Sequence, residues 1–182
     1  MAVIPGPTSA IDAAPASAVT VRRVRPQDTA RVRAIRLEML VDAPLAFLER
    51  IDEAAARSHA EYAARIARVA TDPGMAQFIA EADGPVIGHA GGWAPPGTVG
   101  LTVVFAVYVT PEWRGRGVLG RLVDAVAEWS RAMGRPRLEL EVVVGNDRAV
   151  RAYERLGFTD TGRRSPHPTI PVLSEMVMAR AA

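Results

Sequence analysis

The stretch Val99-Gly-Leu-Thr-Val-Val-Phe-Ala-Val-Tyr-Val109 is a nearly unbroken apolar run, rich in β-branched and aromatic residues. It is too short to cross a bilayer, which takes about 20 apolar residues, and its composition favours an extended strand. A strand apolar on both faces needs cover on both, so the segment reads as the buried middle of a sheet. Its continuation narrows the choice further. Thr110-Pro-Glu-Trp113 leads into Arg114-Gly-Arg-Gly-Val-Leu-Gly120, after which Leu122, Val126, Trp129 and Met133 continue from Leu119 at steps of three and four. That spacing predicts an amphipathic helix from Gly117 to Met133, ended by Gly134.

Around this centre the other segments fall into order. Val19 to Arg25 alternates as a strand, and Pro26-Gln-Asp28 offers a helix start with an Asp cap, followed by Val32, Ile35 and Met39 at helical spacing. This helix is expected to end near Asp42-Ala-Pro44, and one alanine-rich helix is expected from about Asp52 to Val69. Met75 to Ala82 and Val86 to Trp93 read as a hairpin turning at Gly84. Leu138 to Val144 is a strand, Asn146 to Leu156 a short helix closed by Gly157, Phe158 opens a strand, and Leu173 to Ala179 forms the last. The order β-α-α-β-β-β-α-β-α-β-β mixes hairpins with one strand-helix-strand crossover. It predicts an α/β (α+β) domain over residues 19–182, with a mixed sheet covered by helices on both faces. Residues 1–18, rich in Ala, Pro, Ser and Gly, are expected to be a flexible arm.

Composition removes several function classes. Net charge is only +2 and every basic residue is arginine, dispersed among 20 acids rather than gathered on one run, which argues against a nucleic-acid binder. No window is long and apolar enough for a membrane span. The sequence has no cysteine, which removes disulfides, thiolate metal sites and cysteine nucleophiles, and a reducing cytoplasm is the simplest location. The three histidines, His59, His89 and His167, show no metal-ligand spacing, so no metal is expected.

The glycines after Val109 stand where a strand passes into a helix. A helix start carries unpaired N–H groups and the positive end of the helix dipole, and glycine lets a phosphate approach that backbone closely. Alone, such a turn also has a plainer reading, a solvated strand-to-helix connection. There is no GxxxxGK[ST], and no G-x-G-x-x-G closes a first βαβ unit, so neither a P-loop nor a dinucleotide fold is indicated.

Two ordered motifs decide between these readings. Val109-Thr-Pro111 followed by Arg114-Gly-Arg-Gly117, then Leu138-Glu-Leu-Glu-Val142 and Asn146-x-x-Ala149-x-x-x-Tyr153-x-x-x-Gly157-Phe158, resemble the acetyl-CoA motifs of the GNAT superfamily of N-acetyltransferases. The resemblance covers Val103 to Phe158 in motifs and Val19 to Arg180 in topology. It implies a GNAT fold, with a mixed, mostly antiparallel sheet of about 6–7 strands and about four helices. One position departs from the family pattern: Leu119 stands where Gly or Ala is usual, with Gly120 following.

The resemblance also implies a chemistry. Val107, Tyr108 and Val109 would pair with pantetheine, and the segment Arg114, Gly115, Arg116, Gly117, Val118, Leu119 and Gly120 would hold the pyrophosphate. Asn146 would cap the next helix and touch the cofactor. The substrates would be acetyl-CoA and an amine acceptor, small molecule or peptide; a homodimer is left open. Direct transfer needs a base for the amine and an acid for the departing thiolate. Tyr153 matches the family acid, although a tyrosine on the apolar side of a short helix is also simply core. Val103 to Val109 carries no acid, so Glu141, at the base position of the ribosomal-protein alanine acetyltransferase branch, is the first choice for the base. Glu139 shares its strand face, so the pair reads equally as a solvated acidic edge. His167 and Phe47 are candidates for the acceptor mouth, His167 being otherwise a solvated loop residue. The alternative function is a noncatalytic acyl-CoA-binding module.

Overall fold

A computed structural model describes residues 18–182. The expected arm lies outside the described residues, apart from Ala18. The elements are β1 (Val19–Arg23), α1 (Thr29–Asp42), α2 (Ile51–Ala56), α3 (His59–Thr71), β2 (Met75–Ala82), β3 (Val86–Trp93), β4 (Leu101–Val109), α4 (Val118–Ala132), β5 (Arg137–Val143), α5 (Asp147–Arg155), β6 (Thr159–Pro166) and β7 (Ser174–Ala181). Single 3-10 turns precede α1 and follow β4.

Seven strands form one sheet in the order β1-β2-β3-β4-β5-β7-β6. Every neighbouring pair is antiparallel except β4 with β5. The parallel pair is the one joined by the α4 crossover, as a parallel connection requires. The mixed sheet expected from the order of elements and the mostly antiparallel pairing implied by the resemblance are both present, with five helices where about four were implied. Among the described residues no helix is long and apolar enough to cross a membrane.

The extra helix arises where one was expected to run from Asp52 to Val69. Ser58 interrupts it: its hydroxyl accepts from the Glu61 N–H, and the Glu61 carboxylate returns to the Ser58 N–H at 2.7 Å. Ser58-His-Ala-Glu61 is a capping box, which satisfies two orphan donors and starts a new helix. Asp28 also differs from expectation. It stands at the N-cap of α1 but makes no capping bond to it; its carboxylate accepts instead from both terminal nitrogens of Arg22 and from the Arg25 N–H, at 2.7–2.8 Å.

Alternation along the strands divides the core. Ala76, Phe78, Ala80 and Ala82 of β2 face the α4 side with Val104, Leu138, Leu140 and Val142, and there Leu122, Val126 and Trp129 of α4 cover them. Ile79 faces the other way, against Val32 of α1 and Ile66 and Val69 of α3. Helices thus cover both faces, as the apolar character of β4 demanded. Gly88 and Gly92 let α4 lie directly on β3. A Cβ at Gly92 would come within 2.8 Å of Trp129 and 2.9 Å of Val126.

Candidate functional site

The site begins where the parallel ladder fails. β4 and β5 pair only from Leu101 opposite Arg137 to Val103 opposite Glu139, although both strands continue for several residues. Beyond Val103 the β4 edge turned toward β5 has no strand partner, and its N–H and C=O groups face a cleft of about 670 Å³. Such an edge is a template for an added extended chain.

The other edge of β4 contributes to the divergence. Three residues of β3, from Gly91 to His89, oppose four of β4, from Phe105 to Tyr108. The extra residue makes a bulge, and Ala106 there has φ +50, a left-handed conformation that costs a non-glycine residue about 1–3 kcal/mol. His89 holds it: its ring Nδ1 donates to the Ala106 carbonyl at 2.8 Å. Burial pushes the His89 pKa down from the ordinary 6.5 to about 4, so the ring is neutral near pH 7. His89 is thus a strut of the bulge, and His59 is an exposed residue of α3.

At the far end of β4 the chain enters the glycine segment. Gly115 and Gly117 take φ +76 and +79, and a Cβ on either would meet open space, so these positions are glycine for the backbone angle and not for crowding. Gly117 is the N-cap of α4 and its side bears no capping group, which leaves the first-turn N–H groups of Val118, Leu119 and Gly120 directed out of the helix start. Gly115, Gly117, Leu119 and Gly120 line the cleft. The departure at Leu119 is accommodated because its side chain packs half-buried on the core. Gly120 lets α4 pack close to the end of α5, since a Cβ there would stand 3.3 Å from the side chain of Leu156, which follows that helix.

The remaining residues of the segment serve differently. Val118 is 1% exposed and turned into the core, and Arg116 stacks on Trp113 at 5.3 Å; neither residue lines the cleft. Arg114 lines it, but its Nε donates to the Val109 carbonyl at 2.9 Å and its guanidinium pairs with Asp42, which ties the end of β4 to the end of α1. Val107, Tyr108 and Val109 all line the cleft; the Tyr108 hydroxyl donates to Glu38 at 3.0 Å. Burial, with Glu38 second, pushes that phenol's pKa up.

On the opposite wall Asn146 caps α5, its Oδ1 accepting from the Ala149 N–H at 3.2 Å, and it lines the cleft. Tyr153, on the same helix, also lines it and packs edge-on against Phe158 with centroids 5.8 Å apart. Its hydroxyl has no hydrogen-bond partner among the described residues, and burial lifts its pKa to about 12. This side chain thus packs against the core and also reaches the cleft.

The structure separates the two glutamates of β5. Glu139 is buried and paired with Arg163 and, at 3.4 Å, with Arg137. Glu141 is exposed to the cleft and has no ion-pair partner among the described residues. Beside it on β7 lies Glu175, which sequence reasoning missed. Glu175 pairs across from Val143, diagonal to Glu141, and is 8% exposed while lining the cleft. Burial, then the charge of Glu141, raises its pKa. The local signal was present in Ser174-Glu-Met-Val-Met178, where Glu175 alternates with two core methionines, but only the β5–β7 register brings it to the cleft.

His167 is 2% exposed and not the solvated loop residue weighed above. Its Nδ1 accepts from the N–H groups of Thr169 and Ile170 at 3.3 and 3.1 Å, which leaves the ring proton on Nε2, 3.9 Å from Glu175 Oε1. Phe47 does line the cleft. Among the described residues no cluster of three or more His, Asp or Glu is placed to hold a metal ion.

A family model, Acetyltransferase (GNAT) family, matches residues 38–158, more than half of the chain, and the protein belongs to that family. Among curated relatives, the chain is 33% identical over 107 residues to the L-amino acid N-acetyltransferase AaaT of Escherichia coli K12, covering 52% of this chain and 60% of that protein. It is 34% identical over 85 residues to the L-methionine sulfoximine/L-methionine sulfone acetyltransferase of Pseudomonas aeruginosa, covering 46% of this chain and 49% of that one. The matched segments thus span less than two thirds of either relative. A candidate acetyltransferase of Salmonella typhimurium, solved with its cofactor acetyl-CoA, superimposes with a TM-score of 0.71 at 20% identity, over 90% of this chain and 93% of that one, which establishes a shared fold.

Proposed function

We propose that the protein transfers an acetyl group from acetyl-CoA directly to the primary amine of a small acceptor. The observation that carries this reading is the union in one cleft of a free β4 edge, an uncapped helix start and a half-buried tyrosine without a hydrogen-bond partner among the described residues. Pantetheine would extend the sheet along Val107, Tyr108 and Val109, and its pyrophosphate would meet the N–H groups at the start of α4, where the helix dipole favours an anion. Asn146 and the arginine-bearing segment from Arg114 to Gly120 would complete the donor site. The thioester would then lie in the gap between β4 and β5, with Glu141 and Glu175 on the wall formed by β5 and β7.

In the reaction the amine nitrogen attacks the thioester carbonyl carbon, the C–N bond forms and the C–S bond breaks. Glu141 takes the ammonium proton, directly or through a relay water, and Tyr153 donates toward the departing sulfur. A phenol at about 12 stays protonated through the neutral range. Full transfer from it to a thiolate of ordinary pKa, about 8.5, would run uphill by about 3.5 units, or about 5 kcal/mol. Tyr153 therefore acts chiefly by hydrogen bonding to the charge developing on sulfur. The two glutamates supply the acid missing from β4, which favours turnover over a module that merely binds the thioester. The names of the relatives support small amino compounds as the acceptor class.

Release of free thiol from acetyl-CoA against a panel of amines tests the reading. Tyr153→Phe is expected to lower kcat about 10- to 100-fold with the KM for acetyl-CoA unchanged, and Glu141→Gln to lower kcat most at low pH. Tight acetyl-CoA binding without turnover of any amine would establish the binding module instead.

A further inference from the structure

A second, smaller cavity of about 70 Å³ lies on the other side of the β4 bulge, beneath α1 and α3. Its wall includes Arg36, Arg65, Gln77, His89, Phe105 and Ala106, and the last two also line the large cleft. A further link joins the two spaces: the Arg36 guanidinium lies over the ring of Phe47, a residue of the cleft, at 5.4 Å.

The cavity is unbalanced in charge. Glu49 is the carboxylate that serves the local guanidinium groups, accepting from Arg36 Nε at 2.7 Å and pairing with Arg57. Arg65 makes no hydrogen bond and no ion pair among the described residues, although it borders the cavity and burial lowers its pKa. Gln77 is 5% exposed, and its side-chain amide likewise has no partner among the described residues. Both groups are open to the cavity and unpaired among the described residues, so a ligand placed there finds donors that no described side chain already holds. His89 adds no charge, since it is neutral and its Nδ1–H is committed to Ala106.

We propose that this cavity binds the carboxylate of the acceptor, so that the substrate is a short aminocarboxylate whose amine reaches the cleft across Phe105 and Ala106. This inference rests on the acetyltransferase reading and narrows its acceptor. Arg65 offers a planar fork of donors that matches a carboxylate, and the Gln77 amide supplies a further N–H. The volume suits a group of a few heavy atoms. Charge also acts by exclusion. A polyamine that placed its reacting amine in the cleft would bring a second cation against Arg65, whereas an amino acid brings its positive end to Glu141 and Glu175 and its negative end to Arg65.

Two measurements on the full chain test this. The first compares kcat/KM for L-amino acids and for the corresponding amides, in the parent and in Arg65→Met, which keeps the aliphatic stem. The parent is expected to prefer the acids at least 10-fold. Arg65→Met is expected to lose that preference through KM, with amide turnover and the KM for acetyl-CoA unchanged. The second follows the Arg65 Nε–H resonance during titration with acetate, an L-amino acid, its amide and inorganic phosphate, and needs no turnover. A shift with acetate and the amino acid but not the amide supports the subsite. Equal use of acids and amides, no response of Arg65 to a carboxylate, or a response to phosphate alone overturns it. Should acetyl-CoA fail to bind, the acetyltransferase reading falls, while the resonance titration still decides the cavity.

Discussion

Acidification should weaken the fold through one buried imidazole, that of His89. The ring is held neutral, its pKa lowered by burial from 6.5 to about 4, and it supports the bulge through its bond to Ala106. Because the folded-state pKa is depressed for a base, the unfolded chain binds the proton first as pH falls. The contribution is fully present above about pH 6.5 and is lost progressively down to about pH 4. A difference of about 2.5 units is worth about 3 kcal/mol in full, and about 2 kcal/mol of it is gone at pH 5. Against a total of about 5–15 kcal/mol that is a visible share. His89→Asn removes the titrating group while keeping a short N–H donor for the Ala106 carbonyl. Urea unfolding at pH 7 and pH 5 gives the loss for each protein, and the other histidines cancel in the comparison. The parent should lose about 2 kcal/mol more than the variant between these two pH values. A difference below about 0.5 kcal/mol would mean that His89 titrates normally, and the account of a neutral strut under the bulge would be wrong.

Two further substitutions probe the backbone around the cleft. Ala106→Gly removes the steric penalty at φ +50 and should raise stability by about 1 kcal/mol, seen as a Tm rise of about 2–4 °C; a fall would show that the bulge is not strained. Gly92→Ala drives a methyl to within 2.8 Å of Trp129 and should cost about 1–3 kcal/mol, lowering Tm by several degrees, and an unchanged Tm would mean that α4 can lift from β3 freely.

The sequence by itself determined the order of elements apart from the break at Ser58, the buried character of β4, the glycine-bounded start of α4 and the pairing of motifs by which the chain resembles its family. These features are local: alternation, helical spacing and glycine at a required backbone angle are written in neighbouring residues. The break in the second helix is written just as locally, in Ser58-His-Ala-Glu61, although helical spacing alone reads one helix across it. Tertiary structure decided what depends on register between distant strands. The single parallel pair ends at Val103, and that end opens the cleft. The β5–β7 register sets Glu175 beside Glu141, while Arg163 from β6 occupies Glu139, so two glutamates alike in sequence stand in different surroundings. The extra residue in β4 opposite β3 places His89 under Ala106, where burial makes it a strut. Arg65 and Gln77 likewise meet at one cavity only because α3 lies across β2 on the face away from α4. A contact between residues far apart in the chain is fixed by how sheets and helices pack, and no pattern within either segment records it.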